Sequence, residues 1–241
     1  VSELWVWAGA LEKSGSLVLS PDEARHISAR RLRVGDALVV FDGRGRWAEA
    51  RLESVEKRAA VIEVGRTTFV PKPKASPILA SAIPKGDRLG TMLQMLSQLG
   101  LGVWQPLLLE DSAVRKLDPK AARLHRILVE SAKVARRSWC LEVRAPLSLE
   151  VVLANASADS KICFGDREGE PSGFDSEVGL MLIGPEAGFS DSERSLLAEA
   201  GARARSFGSH NLRIETAAVA AATGFNLAAK VELRGAREPG R

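Results

Sequence analysis

The sequence predicts an α/β protein in two parts: a small N-terminal β-barrel, then a parallel sheet covered by helices. Three observations carry this. Short β-type segments crowd the first seventy residues, Pro71-Lys72-Pro73-Lys74 interrupts them, and from Ile78 onward strand and helix patterns alternate. Two closely spaced prolines cannot donate to a sheet and favour extended backbone. Residues 71–76 are therefore read as a linker between domains at 1–70 and 77–241.

In the first part, Leu4 to Trp7 forms a strand. Ser20-Pro21-Asp22-Glu23 opens a helix with a capping hydroxyl, proline at the first helical position and acids in the first turn. Arg33-Val34-Gly35-Asp36 turns the chain into the apolar strand Ala37 to Phe41, and Asp42-Gly43-Arg44-Gly45 signals a hairpin. Trp47 to Val55 alternates apolar and polar residues, and Ala59 to Val64 adds another strand. Closely spaced short strands suggest a small barrel.

In the second part, Ile78 to Ile83 is a strand. Asp87 to Leu99 carries Leu89, Met92, Leu93, Leu96 and Leu99 at helical spacing, and Gly100 stops it. Val103 to Leu109 is a strand. Pro119 to Arg137 reads as a long helix with the apolar stripe Leu124, Ile127, Leu128, Ser131 and Val134. Lys161 to Phe164 and Leu180 to Ile183 are short buried strands. Ser190 to Ala200 is a helix with Glu193 completing a capping box. Arg203 to Phe207 is the last strand, Ile214 to Leu233 an alanine-rich helix, and the tail from Arg234 is expected to fray. The alternation argues for a parallel sheet covered on both faces.

Composition narrows the function. Hydrophobic residues make up 45% and charged residues 27%, an ordinary globular balance. No apolar run approaches the roughly 20 residues of a membrane span, and the N-terminus lacks the basic start and apolar core of a signal peptide. Cys140 and Cys163 form no CxxC pair, so neither a disulfide nor a zinc site is expected, and the chain fits the cytoplasm. His26, His125 and His210 are too scattered for a metal set. The net charge of +4 hints at a polyanionic partner. Basic residues gather between Arg115 and Arg144 and again at Arg25, Arg30, Arg31 and Arg33, followed by Arg44 and Arg46. Each cluster reads either as a solvated face or as a surface for phosphates.

Two segments carry the chemistry. Leu180-Met181-Leu182-Ile183-Gly184-Pro185-Glu186-Ala187-Gly188-Phe189-Ser190 takes a buried strand through a glycine-proline turn into a capped helix. Glycines there let a ligand approach bare backbone, and the carboxyl edge of a parallel sheet is where ligands bind. The segment is neither GxGxxG nor a P-loop. Phe207-Gly208-Ser209-His210-Asn211-Leu212-Arg213-Ile214-Glu215-Thr216-Ala217 leads from a strand through a polar loop into a helix of small residues. Arg213 and Glu215 stand at that helix entrance, where a local ion pair is one reading of them.

Together the two segments resemble the SPOUT superfamily of RNA methyltransferases, and within it the family that methylates N3 of a uridine in 16S ribosomal RNA. That family carries Ile-Gly-Pro-Glu-Gly-Gly-Phe-Ser followed by Leu-Gly-x-x-Ile-Leu-Arg-x-Glu-Thr-Ala. Ile183 to Ser190 departs once, at Ala187, and Phe207 to Ala217 keeps Gly208, Leu212, Arg213, Glu215, Thr216 and Ala217. His26 to Asp36 is similar to the family's N-terminal signature, with Arg31 in the arginine position, and Pro84-Lys85-Gly86-Asp87-Arg88 to its Lys-x-x-Arg segment. The chain departs at Met95, Gln98, Lys133 and Val134, and His210-Asn211 replaces a usual basic-Ile pair.

The resemblance implies a PUA-like RNA-binding barrel and a methyltransferase domain with a deep trefoil knot, assembled as a homodimer. It implies S-adenosylmethionine as cofactor, held at Ile183, Gly184, Glu186, Gly188, Gly208, Asn211 and Leu212. It implies 16S ribosomal RNA or the small ribosomal subunit as partner, with no metal and no membrane. Arg213 is the candidate to stabilise the uridine imide anion, and Glu215 to accept its proton or to orient Arg213. Because N3 lies on the Watson–Crick edge, the base must be unpaired or flipped. Arg30, Arg31, Arg136 and Arg137 are the candidates for RNA phosphates. An RNA-binding assembly protein without turnover and a ribose 2′-O-methyltransferase remain as alternatives.

Overall fold

The computed structural model describes residues 4–72, 77–157, 160–171 and 178–232, with side chains in the last range as far as Leu227. Residues 73–76 of the expected linker and the tail from Arg234 lie outside the described residues. The chain divides into two compact units: Val1–Lys74 with Leu128–Cys140, and Ala75–Ile127 with Leu141–Arg241.

In the first unit, strands β1 (Trp5–Trp7) and β2 (Gly15–Leu19) precede helix α1 (Pro21–Ala29), and β3 (Ala37–Phe41), β4 (Arg46–Val55), β5 (Ala60–Val64) and β6 (Thr68–Phe69) follow it. They form one sheet in the order β1-β3-β4-β5-β2, with β6 paired to β4. Only β1 runs parallel to its neighbour. Val6 and Leu19, from the two ends of this path, share one core with Ile27, Leu38, Leu52 and Ile62. The curled sheet thus closes on an apolar interior, as the sequence predicts for a small barrel. The caps and turns are local and form as expected. Ser20 Oγ accepts the Glu23 N–H at the start of α1. Asp42 Oδ1 accepts the backbone N–H of Arg44 (2.7 Å) and Arg46 (3.0 Å), shaping the β3–β4 hairpin.

Helix α3 spans Ala122–Ala135, shorter than Pro119 to Arg137. The predicted stripe also fails at its end. Val134 is 70% exposed, whereas Lys133 is 7% exposed. In the first unit, Val129 and Ala132 pack with Phe41, Trp5, Trp7 and Trp47, which rotates the buried face away from Val134. Lys133 is drawn inside by charge: its Nζ donates to Glu23 of α1, which is equally buried, and to Glu130 Oε1 at 2.8 Å. Burial pushes the Glu23 carboxyl above its usual range, although Lys133 pulls the other way.

The second unit holds β7 (Ile78–Ala82), α2 (Asp87–Gln98), β8 (Val103–Leu108), β9 (Glu142–Val143), β10 (Leu147–Ser148), α4 (Leu149–Ala154), β11 (Lys161–Pro171), β12 (Val178–Ile183), α5 (Asp191–Glu199), β13 (Arg203–Ser206) and α6 (Ile214–Glu232). All its strands are parallel, in the order β10-β8-β7-β12-β11-β13, with β9 also on β8. β7, β8 and β12 are buried almost continuously, as strands covered on both faces must be. Helix α6 packs on α2, β7 and β12 through the small buried side chains of Ala218, Ala221 and Ala222.

The reading missed β2 and β6 in the first unit and α4, β9 and β10 here, the last two being two-residue strands too short to show a period. The arrangement of β9 and β10 follows from Pro106. β9 pairs with Val103 and Trp104, and β10 with Leu107 and Leu108. Pro106, which has no N–H, falls in the gap. Gln105 Nε2 fills it by donating to the Ala145 carbonyl at 2.7 Å.

Lys133→Met should destabilise the chain by about 3–5 kcal/mol, because it strands the buried Glu23 carboxylate. Adding Glu23→Gln to it should recover most of that loss. Urea unfolding of the two variants measures both effects; equal stability would show that Glu23 does not need its partner.

Candidate functional site

The second unit contains a cavity of about 580 Å³ beyond the carboxyl ends of β11, β12 and β13. That size suits a small-molecule ligand. Strand order explains the place. β11 lies between β12 and β13, so the chain leaves β11 for β12 on one side and then returns past it to β13 on the other. Such a reversal leaves a crevice at the carboxyl edge.

Three pieces of chain shape it. After β12, Ile183-Gly184-Pro185-Glu186-Ala187-Gly188 makes a tight turn, with the Gly188 N–H donating to Pro185 O at 2.9 Å and Gly188 at φ 85°. The turn ends in the capping box predicted at Ser190 and Glu193. After β13, Phe207 to Leu212 forms the second wall. Gly208, at φ 152°, has nothing within 4 Å of where a Cβ would sit, so its backbone borders open space. The third piece is a bulge inside β11. Gly165 and Glu170 both register with Arg205 of β13, so residues 166–169 are thrown out of the ladder.

That bulge brings Asp166, Arg167 and Glu168 to the cavity. Asp166 Oδ2 lies 2.8 Å from Arg194 Nη1, and Arg194 Nε donates to Phe189 O at 3.2 Å. One guanidinium therefore ties the bulge to the Gly184 turn. Burial acts to raise the Asp166 carboxyl, but the Glu168 N–H and Arg194 outweigh it and hold the group below its ordinary range.

All of Ile183, Gly184, Glu186, Gly188, Gly208, Asn211 and Leu212 line this one cavity. Arg213 and Glu215 do not. Arg213 is exposed beside the cavity, between Leu212 and Ile214, with no ion-pair partner among the described residues. Glu215 does not pair with it. Its Oε1 lies 3.8 Å from Arg88 Nη1, which also reaches Glu186 Oε1 at 3.2 Å. The Glu215 side chain is 13% exposed and its Oε2 has no hydrogen-bond partner. A local Arg213–Glu215 ion pair is thus replaced by a longer link through Arg88.

The sequence reading gave no role to Arg88, Asp166 or Arg194. Only the Gly165–Gly169 spacing around a charged run signalled the bulge. The four arginines assigned to RNA lie in the first unit. Arg30 caps α1 and Arg31 follows it; Arg136 and Arg137 follow α3. Arg30, Arg31 and Arg136 are exposed. Arg137 is half-buried, and burial lowers its proton affinity. The same pocket of low solvation pushes the Cys140 thiol up to about 11. Among the described residues no helix is long and apolar enough to cross a membrane, and no cluster of His, Cys, Asp or Glu could hold a metal ion.

The model of an RNA methyltransferase domain matches residues 71–226, and that of an RNA methyltransferase PUA domain matches residues 19–65. The chain belongs to this RNA methyltransferase family. Among named relatives, Ribosomal RNA small subunit methyltransferase E of Synechocystis sp. is 28% identical over 208 residues, covering 81% of this chain and 67% of its own. The enzyme of the same name from Bacillus subtilis is 26% identical, covering 86% and 88%. A methyltransferase of Legionella pneumophila, solved with its bound cofactor SAM, superposes with a TM-score of 0.80 at 26% identity, covering 95% of this chain and 98% of its own. A Neisseria gonorrhoeae Ribosomal RNA small subunit methyltransferase E bound to S-adenosyl methionine shares the fold, with a TM-score of 0.80 at 24% identity, covering 94% and 98%.

Two outcomes test this geometry. A Cβ on Gly184 would meet the Phe189 ring at 3.2 Å and the Gly188 backbone at 3.4 Å. Gly184→Val should therefore cost about 1–3 kcal/mol by overpacking, seen as a lower melting temperature in calorimetry. Asp166 has a depressed folded-state value, so its stabilisation is present above roughly pH 4 and is lost as pH falls through that value. Arg194→Gln should shrink the difference in melting temperature between about pH 6 and pH 3; an unchanged difference would detach Asp166 from Arg194.

Proposed function

We propose that this chain transfers the methyl group of S-adenosylmethionine to N3 of a uridine in 16S ribosomal RNA of the small subunit. The observation that carries the proposal is the cavity at the carboxyl ends of β11–β13, walled by both motif segments, with an unpaired arginine beside it. The cofactor suits that cavity. Apolar walls at Phe164, Ile183, Phe207 and Leu212 fit an adenine, the bare backbone at Gly208 admits close approach, and the carboxylates of Asp166 and Glu186 suit a positively charged sulfonium. Ile183, Gly184, Glu186, Gly188, Gly208, Asn211 and Leu212 are assigned to hold it.

When bound, S-adenosylmethionine supplies a methyl already activated by its sulfonium. The chain's own residues then manage the base. Arg213 stabilises the imide anion that develops as the N3 proton leaves. Glu215, positioned by Arg88 at the entrance of α6, is the acceptor assigned to that proton. Arg30, Arg31, Arg136 and Arg137 hold phosphates. The reading includes residues 1–70 as the RNA-binding module, 71–76 as linker and 77–241 as the methyltransferase domain. With it come the deep trefoil knot, a homodimer and a cytoplasmic setting on the small ribosomal subunit.

Incubation with labelled S-adenosylmethionine and 16S ribosomal RNA, followed by nucleoside analysis, tests the proposal. The expected product is N3-methyluridine. A 2′-O-methylated nucleoside, or no label, would overturn it. Arg213→Ala should lower single-turnover methylation about 10²–10³-fold, the scale for losing one preorganised charge-stabilising donor. Cofactor affinity should hold. Lysine should restore only part of the rate, since it lacks the planar fork. A near-normal rate in the alanine variant would remove Arg213 from the mechanism.

A further inference from the structure

The first unit carries an aromatic and basic surface that none of the assignments above uses. It is built around Trp139. Gly45, at φ 97°, lies under the indole, and a Cβ there would be 2.6 Å from its ring atoms. Trp139 Nε1 donates to Val70 O at 2.7 Å, and Gly45 ties both sides through Gly45 N to Ser138 O (3.0 Å) and Val70 N to Gly45 O (2.9 Å). The indole is therefore fixed in place. Phe69 meets it nearly edge-on, 6.1 Å between ring centroids and 70° between planes.

Phe69 is 53% exposed and belongs to neither apolar cluster of its unit. Cations surround it. Arg46, its cross-strand partner on β4, places its guanidinium 5.6 Å from the Phe69 centroid. Lys72 Nζ lies 4.8 Å from the Trp139 centroid. Arg44 pairs by backbone with Trp139 and is exposed. Asp42, the one carboxylate of the hairpin turn, is buried and already bonded to the backbone of Arg44 and Arg46. No carboxylate partner of Arg44 or Arg46 occurs among the described residues.

We propose that Phe69, backed by Trp139, is a stacking platform for an unpaired nucleobase of RNA, with Arg44, Arg46 and Lys72 on the flanking phosphates. Fixed aromatic rings among cations are what single-stranded nucleic acid requires. The base gives a π-face to the ring, and the backbone gives charge to the basic groups. A purely apolar partner would leave Arg44 and Arg46 uncompensated, and a duplex would offer no free base to the ring. The proposal rests on RNA being the substrate. It adds a second, sequence-tolerant contact on the first unit, which holds a single-stranded segment by stacking and leaves base chemistry to the cavity.

The test uses the full chain and a single-stranded RNA 10-mer, titrated across a range of salt. Phe69→Ala should weaken binding roughly five- to 150-fold, the scale of one lost base stack, with the salt slope unchanged. Phe69→Tyr should keep wild-type affinity. Arg46→Gln should instead flatten the slope of log K against log salt by about 0.7 unit, as for one phosphate contact on a single strand. Melting temperature and S-adenosylmethionine affinity should not move in any of the three. If wild type labels ribosomal RNA and Phe69→Ala binds the 10-mer equally well, the platform is overturned and the methyltransferase proposal stands. If Phe69→Ala alters sedimentation but not RNA affinity, the face is a contact between copies of the chain, and the platform is again overturned. A wild-type chain that neither binds the 10-mer nor labels ribosomal RNA overturns both.

Discussion

The cavity depends on one buried carboxylate. Glu193, in the first turn of α5, accepts the Ser190 N–H at 2.9 Å through Oε2 and the Glu110 N–H at 2.8 Å through Oε1. Ser190 Oγ returns the bond to the Glu193 N–H at 3.3 Å. The first pair starts a helix, an ordinary local service. The second reaches the chain just after β8 and so fixes where α5 starts relative to the sheet. Because the Gly184 turn runs straight into Ser190, its far end is then set as firmly as its near end, which grows out of β12. A loop held at both ends can present bare glycine backbone without collapsing into the space it borders.

The charged groups around that turn extend the same logic. Arg194, one residue after Glu193, carries the fixed helix start across to Asp166 and so holds the β11 bulge. Arg205 does the equivalent for the bulge's other end, through Glu170 at 2.6 Å. Arg88 links Glu186 on the turn to Glu215 at the entrance of α6. These guanidiniums are occupied by structure. Arg213 is exposed and unpaired, which leaves its charge available to something outside the protein. The distinction between engaged and available arginines matters more to function here than the net charge does.

What the sequence made legible was local. Caps at Ser20 and Ser190, the Asp42 hairpin, the stop at Gly100 and the strand–helix alternation all depend on residues within a few positions of each other, and each forms as read. The seven cavity residues came from the family resemblance of the two motif segments, and all seven line one cavity. Apart from the short elements, the failures were long-range. Lys133 looked like a solvent residue and Val134 like a core one, since the partner that reverses them, Glu23, is 110 positions away. The strand from Lys161 reads as ending at Phe164, because nothing nearby shows that β11 resumes at Glu170 against Arg205. The Arg88 link crosses to residues 98 positions on at Glu186.

Arg31 and Arg136 show how far local strain can be taken as a sign of function. They are the two non-glycine residues with positive φ among the described residues, at 58° and 53°. Each sits just past a helix, and each helix closes with the same double hydrogen bond. Arg31 N bonds Ser28 O and Leu32 N bonds Ile27 O; Arg136 N bonds Lys133 O and Arg137 N bonds Ala132 O. This is the Schellman arrangement, in which glycine is the favoured residue and a side chain costs about 1 kcal/mol or more. Two physical terms offset that cost. The helix carboxyl end carries partial negative charge, so a guanidinium there gains up to about 1 kcal/mol. Each helix is also held elsewhere, α1 by Ile27 in the core and α3 by Ala132 and Lys133. The left-handed arginines are therefore affordable as structure alone, and their backbone angles do not by themselves assign them to RNA. What bears on that assignment is that both side chains project from helix ends into solvent in the unit that also presents the Phe69 surface. Arg137, half-buried beside Cys140, is less exposed to a partner than its neighbour in sequence.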